Sequence, residues 1–505
     1  LIKHLTPRQF HFLLLGVILL QISDLYLFIT QFLFVYTDSD QTILWHAAKD
    51  MSEGKFYEPA FYGQAYNSML EALIAVPFIR IGVYIPYALG ISTLLLSYSV
   101  IWLWAWYFYK KKAGLLSLIC LALPLFMPSE FQIMIGISRG FVTGISVTLW
   151  GIYFLLTNQG KLKLMLAGFC IALGLILNPN TSIILSAFVI YYLLKPNAQK
   201  IFELTYLSLG FIPALLYKVF CIWFYTSHPN YNLHIFPNTF QYTLQNWLYI
   251  ASEVFFVFKG LMPWVNNLGC LSLILLMVLV VLIFKKSNKS YEKLAALSGF
   301  LFIIFTFGIN KVSDGTGSPF FAYARMYLGI PVLYVFYLSI LIHNYKFRFP
   351  VYFIGIIILL SFILKTLPLN HHITNIVKHN TGVVKVVKIK DLCLTCDSIA
   401  TYLTKTKSDI IVLKTKRDEI NYGCPVLSHI KTIHPSYERR TWIYEQEMTS
   451  PRSSLLVYSE TPLKEQNTDI LTKHLYLVNF DTRVSIKQWF EINRIKLRKY
   501  KNKVE

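Results

Sequence analysis

Long apolar runs, broken at short intervals by clusters of lysine and arginine, constrain this chain more than any other feature. A helix needs about 20 predominantly apolar residues to cross the hydrocarbon core of a bilayer. Phe12 to Tyr36, Leu271 to Phe284 with its apolar approach, and Ala322 to Ile342 supply such stretches openly. Only 14% of the residues are charged, 55% are hydrophobic, and the mean hydropathy is +0.50. A soluble domain carries roughly a quarter charged residues, so this chain has too few to cover a globule of 505 residues. Lipid must cover the rest.

The formal charge of +21 would suggest nucleic acid in a soluble protein. Here much of it lies in short clusters between apolar runs, which orient a membrane protein with the clusters in the cytosol. Membrane lipids are the expected partner, through anionic head groups, and nucleic acid is not. The clusters thread the chain consistently. Lys3, His4 and Arg8 place the N-terminus inside, and Lys110–Lys112, Lys161 and Lys163, Lys195 and Lys200, Lys285–Lys289 and His343–Arg348 all fall on the same side. The pattern predicts about eleven spans, near 11–36, 85–108, 113–128, 140–156, 163–177, 181–194, 201–223, 264–284, 294–309, 321–342 and 350–365. The first run is longer than a signal-peptide core and lacks a small-residue cleavage site, so it reads as a retained helix.

The expected fold class is therefore an α-helical polytopic membrane protein of the cytoplasmic or inner membrane. A transmembrane domain spans 1–370, with long outer loops at 37–84 and 225–262, and an extracytoplasmic α/β domain occupies 371–505. Inner loops are short and basic, which leaves no room for a nucleotide-sugar domain on that side. Chemistry is expected on the outer face.

The first outer loop is the most informative stretch. It reads Tyr36-Thr-Asp38-Ser-Asp40-Gln41, then an amphipathic segment from Ile43 to Met51, a turn at Glu53-Gly54, and Phe61-Tyr62-Gly63-Gln64-Ala65-Tyr66. Segments 43–51 and 67–78 have the pattern of helices lying in the interface with apolar faces down. Asp38 and Asp40 follow directly on a spanning helix. One plain role is to cap the next helix, since an Asp there satisfies orphan amides. Two carboxylates beside Gln41, His46 and Gln64 suggest more: a general base for an acceptor hydroxyl or amine, or ligands for a divalent metal. Nothing in the sequence requires a metal or other cofactor.

This loop resembles the first outer loop of the GT-C glycosyltransferases, nearest to dolichyl-phosphate-mannose protein mannosyltransferases and lipid A aminoarabinose transferases. The resemblance implies a donor sugar on a polyprenyl-phosphate carrier and a glycan, lipid or protein acceptor. It implies that Asp40 is the base, with Gln41 standing where the family has a second acid and Asp38 assisting. Gln64 and Tyr66 would line the sugar pocket. Arg139, Lys311 and Arg325 would hold the carrier phosphate, a task suited to the planar guanidinium. For Arg325, snorkelling to the interface or pairing with Asp314 remains the alternative.

Other polar residues carry less. His228, Tyr231, His234 and Trp247 in the second outer loop are candidates for shaping a sugar or acceptor pocket, the two histidines alone make a poor zinc signal, and Asn178-Pro179-Asn180 reads as a plain turn between helices. In the tail, Asp397–Thr404 has helical character, while Asp409–Leu413, Ser454–Ser459 and His474–Phe480 read as strands. A basic helix is expected near 486–503. One Cys393-Leu-Thr-Cys396 is weak as a metal motif; outside the cytosol, a disulfide involving Cys424 is the plainer reading.

The function expected is a membrane glycosyltransferase that inverts at the anomeric carbon. The rivals are a lipid-linked-glycan transporter or flippase, which should place paired charges within the membrane and use repeated halves, an O-antigen polymerase or ligase, and a non-catalytic scaffold.

Overall fold

In a computed structural model of the chain, the described residues are 7–62, 68–157, 160–228, 240–314, 323–344, 351–378, 386–415, 417–434, 445–463 and 467–495. The predicted Gln64 and Tyr66, with Tyr231, His234 and positions 496–503 of the expected basic helix, lie outside them, and the helix that begins as expected, Ile486–Ile492, already ends at the Asn493 cap. The chain divides into two compact units. One is built from Leu1–Leu33, Thr93–Lys218 and Pro237–Val383, the other from Phe34–Ser92, Val219–Phe236 and Val384–Glu505.

The first unit is helical. The expected spans fall mostly on helices, but fewer than eleven of these are long enough to cross a bilayer. Among the described residues, five helices are long and apolar enough to cross a bilayer: Arg8–Leu33, Ile85–Lys110, Lys200–Ser227, Tyr323–Asn344 and Phe353–Asn375. A sixth candidate is the pair Gly114–Phe126 and Ser129–Gly136, bent by 95° at the break before Ser129. Pro128 explains the break, because it lacks an N–H and restricts the residue before it. Helices Lys161–Leu177, Cys270–Lys286 and Ser290–Thr306 have 17 residues each, the lower end of what spans about 30 Å.

Small residues set how closely these helices pack. A Cβ on Gly174 would meet the Thr148 hydroxyl at 2.0 Å and the Gly144 carbonyl at 2.7 Å. Helices Thr143–Thr157 and Lys161–Leu177 therefore touch backbone to backbone, as small residues permit where no water drives association.

The second unit is α/β. Strand β1 (Tyr36–Thr37) pairs antiparallel with β2 (Val387–Lys388). The main sheet has β3 (Ile410–Lys414), β4 (Lys431–Ile433), β5 (Arg452–Ser459), β6 (Thr468–Ile470) and β7 (Leu475–Val484), in the order β4-β3-β5-β7-β6. β3 runs parallel to β4 and β5, and β7 runs antiparallel to β5 and β6. The run Ile410-Ile-Val-Leu413 is buried on both faces, as a strand covered on both sides must be. Ile410 and Val412 join Trp489 and Phe490 in one core. Ile411 and Leu413 face the other, with Leu392, Cys396, Ile399, Ile420 and Cys424.

That second core also takes in Ile43, Leu44, Trp45, Ala47 and Ala48. Helix Ser39–Ser52 therefore buries its apolar residues in protein, where the sequence suggested an interfacial helix with its apolar face in lipid. The cause is non-local: Lys49 Nζ donates to the Pro425 carbonyl at 3.1 Å, across 376 residues of sequence. A disulfide joins Cys396 to Cys424 in this core, and Cys393 lies 3.2 Å from the Tyr84 hydroxyl.

Candidate functional site

The predicted site residues fall in both units, and each group has its own geometry. In the α/β unit, Asp38 is fully buried and caps helix Ser39–Ser52. Its Oδ1 accepts the amides of Asp40 and Gln41 at 2.9 and 3.0 Å, and its Oδ2 accepts the Gln41 side-chain amide at 2.9 Å. Both oxygens are thereby committed to holding the helix start, the capping role that Asp commonly takes. Asp40 stands in the first turn, half-buried, where the helix dipole favours a negative charge. Gln41 serves to orient Asp38. Among the described residues, no group of three or more His, Cys, Asp or Glu side chains is placed to hold a metal ion.

Two further acids in this unit were not singled out from sequence. Glu58 is buried and accepts from the Tyr225 hydroxyl at 3.1 Å. Asp50 accepts from the Tyr62 hydroxyl at 2.8 Å.

In the helical unit, Arg139 and Arg325 come together. Arg139 lies in the short connection between helices Ser129–Gly136 and Thr143–Thr157, followed by Gly140 at φ +72°, a backbone shape that favours glycine. Arg325 lies in the 3-10 turn Tyr323–Tyr327. Both side chains are buried, and their guanidinium carbons sit 5.9 and 5.7 Å from the centre of the same ring, Phe141. Stacking on an aromatic face suits Arg.

The turn at Asn178-Pro179-Asn180 joins two helices as expected, and it also holds this arrangement. Asn178 donates to the Gly140 carbonyl at 3.2 Å. Asn180 donates to the Phe141 and Arg325 carbonyls at 3.0 and 3.2 Å. Thr93 and Ser138 hydroxyls bond at 2.7 Å, fixing the start of the arginine loop. Lys311 is half-buried on the 3-10 turn Asn310–Asp314, which packs against the turn that carries Arg325. The planar fork of a guanidinium suits a phosphate oxyanion better than any other cationic side chain does.

The sequence reading passed over a second charged cluster. Lys365, in the last long helix, donates to Asp24 Oδ2 at 2.7 Å and to the Pro124 carbonyl at 2.9 Å. The helix ends at Phe126, and the residue four beyond Pro124 is Pro128, so that carbonyl has no helical donor to accept. Gln132 donates to the same Asp24 oxygen at 2.9 Å. A cavity of about 170 Å³ adjoins, lined by Lys365, Ser361, Asn266, Glu130 and His372 among others, with His372 Nε2 2.6 Å from Glu130 Oε1. The signal was present in the sequence: an ionisable residue inside an apolar span is rare and asks for a partner.

Comparison with known proteins adds no relative: no protein-family model matches the chain, and no curated protein matches it.

Proposed function

We propose that the chain is a membrane glycosyltransferase that takes a sugar from a polyprenyl-phosphate carrier and passes it to a glycan, lipid or protein acceptor outside the cytosol. The observation that carries this reading is the pair of buried arginines on Phe141, pinned from behind by Asn180. In this reading Arg139 and Arg325 hold the carrier phosphate as it departs with the bonding electrons of the anomeric carbon–oxygen bond. Lys311 adds positive charge nearby. The base is Asp40, which takes the proton of the attacking hydroxyl or amine. Asp38 is a positioning residue, since its carboxylate is engaged in the helix cap. One displacement at the anomeric carbon inverts it.

The reading includes eleven spans, a cytosolic N-terminus and an extracytoplasmic α/β unit. The Cys396–Cys424 disulfide supports that placement, because such bonds persist in oxidising compartments. The test is transfer from a synthetic polyprenyl-phosphate sugar by purified protein. Asp40→Asn should abolish turnover with donor binding retained, while Arg139→Lys and Arg325→Lys should raise the donor KM. Full activity in Asp40→Asn removes the mechanism.

One observation favours a second reading, a lipid-linked-glycan transporter: Asp24 and Lys365 form a buried ion pair between the first and last long helices. Paired intramembrane charges are the usual mark of transport. Translocation of a labelled lipid-linked glycan in vesicles, with no transfer to any acceptor, would decide for it.

A further inference from the structure

The lysines that orient the helical unit also frame a cavity. It has a volume of about 850 Å³ and lies wholly within that unit. A ligand pocket typically holds about 300–1,000 Å³. Its deeper walls are apolar, with Leu149, Ile152, Phe188 and Leu333 among them. Its polar end is different. Lys111, Lys112, Lys195 and Lys289, from three separate connections between helices, line it against a single carboxylate, Glu292. That carboxylate is already engaged by the Ser287 hydroxyl at 2.5 Å, Asn344 at 2.7 Å and Lys289 at 3.2 Å. Three of the lysines each stand over a tyrosine that also lines the cavity: Lys111 over Tyr107 at 5.8 Å, Lys195 over Tyr191 at 5.7 Å and Lys289 over Tyr291 at 5.9 Å. Tyrosines at this level are what a membrane–water interface selects.

We propose that this cavity is a binding site for an anionic membrane phospholipid, with acyl chain among the apolar walls and phosphate at the lysine rim. The occupant must be amphiphilic, because the walls would reject a free phosphate group and the rim would leave a plain hydrocarbon unpaired with its charge. Charge complementarity selects the anionic head group over a zwitterionic one. The site stands on different residues from those proposed for sugar transfer, and it holds whether or not transfer occurs.

Lipid-filled nanodiscs carrying the full chain test it, with Trp104, which lines the cavity, as the reporter. Phosphatidylglycerol brominated along its acyl chain should quench a component of the emission that Trp104→Phe removes. Brominated phosphatidylcholine at the same fraction should not. Lys111→Gln and Lys195→Gln change exposed side chains, and each should weaken the preference about fivefold, as should raising the salt. Ser339→Phe adds bulk at a position that lines the cavity and should abolish the Trp104 component while general attraction to anionic bilayers persists. Equal quenching by both lipids, or quenching unchanged in Ser339→Phe, would overturn the proposal. So would exclusive quenching by a brominated polyprenyl phosphate.

Discussion

Lys365 Nζ lies 2.7 Å from Asp24 Oδ2, and both side chains are buried within the helical unit, on helices Val351–Thr366 and Pro7–Phe28. A buried ion pair contributes little relative to well-packed apolar residues, but removing one partner strands the other charge. Asp24→Asn should therefore destabilise the chain by about 3–5 kcal/mol, and Lys365→Met by a similar amount. The double variant should recover most of the loss. Thermal unfolding in detergent checks this; two single variants whose losses simply add would show that the pair does not couple.

Asp38 and Asp40 stand two residues apart and make opposite predictions. Asp38→Ala removes the acceptor for two amides and should cost about 1 kcal/mol, read as faster amide exchange at residues 40 and 41. Asp40→Asn should leave that exchange unchanged and still abolish sugar transfer. Slow exchange in Asp38→Ala would show that the cap does not hold the helix start.

Local features of this molecule were readable in the chain, and pairings across long separations were not. Apolar runs and basic punctuation are local signals and mark most of the helices, and the break before Ser129 follows from Pro128, but the number of crossings was not legible: among the described residues five helices are long and apolar enough to cross a bilayer. The cap at Asp38 is a near-neighbour interaction and was legible for that reason. Arg139 and Arg325 were expected to hold a phosphate on the strength of a resemblance, and nothing in the sequence says that they share Phe141. Asn180 looked like a turn residue because its two acceptors come from residues 39 and 145 positions away. Helix Ser39–Ser52 has an amphipathic pattern, and such a pattern cannot tell a lipid face from a protein core. What decided it is the tail that packs on it, beginning with the β1–β2 pairing more than 340 residues later.

Asn180 supplies a test of that long-range role. Both of its side-chain bonds go to carbonyls, so the site demands a donor. Asn180→Ala should cost about 1–3 kcal/mol for two bonds. Asn180→Asp should cost more, because an ionised carboxylate only accepts and would face two carbonyl oxygens in a buried place. Denaturant unfolding of the two variants gives the order; Asp ranking above Ala would mean that the side chain does not face those carbonyls.

The Cys396–Cys424 disulfide closes a loop of about 29 residues in the α/β unit. The chain-entropy relation assigns such a loop about 3–4 kcal/mol of stabilisation. The double Ser variant should lose about that much and expose the unit to protease at temperatures the parent survives. The neighbouring Cys393→Ser should have little effect on stability, since the residue is only partly buried and a serine can keep a polar contact with the Tyr84 hydroxyl 3.2 Å from the thiol.

His434 makes the stability of the α/β unit depend on pH. The imidazole is buried just after β4, with Nε2 2.6 Å from the Thr415 carbonyl. Burial pushes its pKa below the ordinary value of 6.5, outweighing that carbonyl, which favours the charged ring. The unfolded chain then binds more protons than the folded one between the two values. Stability is therefore complete above about pH 6.5 and falls as the solution is acidified through that point. Asp409 adds a separate acid loss at lower pH. Burial alone would raise its pKa, but Arg452 beside it holds it below the carboxylate value of 3.8, so that ion pair is lost only when the carboxyl protonates. His434→Gln keeps a donor for Thr415 and never titrates. Amide exchange at β3 and β4, compared between parent and His434→Gln at each pH, isolates the histidine. The parent should open more readily than the variant from pH 6.5 downward and match it above pH 7, and parallel curves throughout would show that the ring does not set the slope.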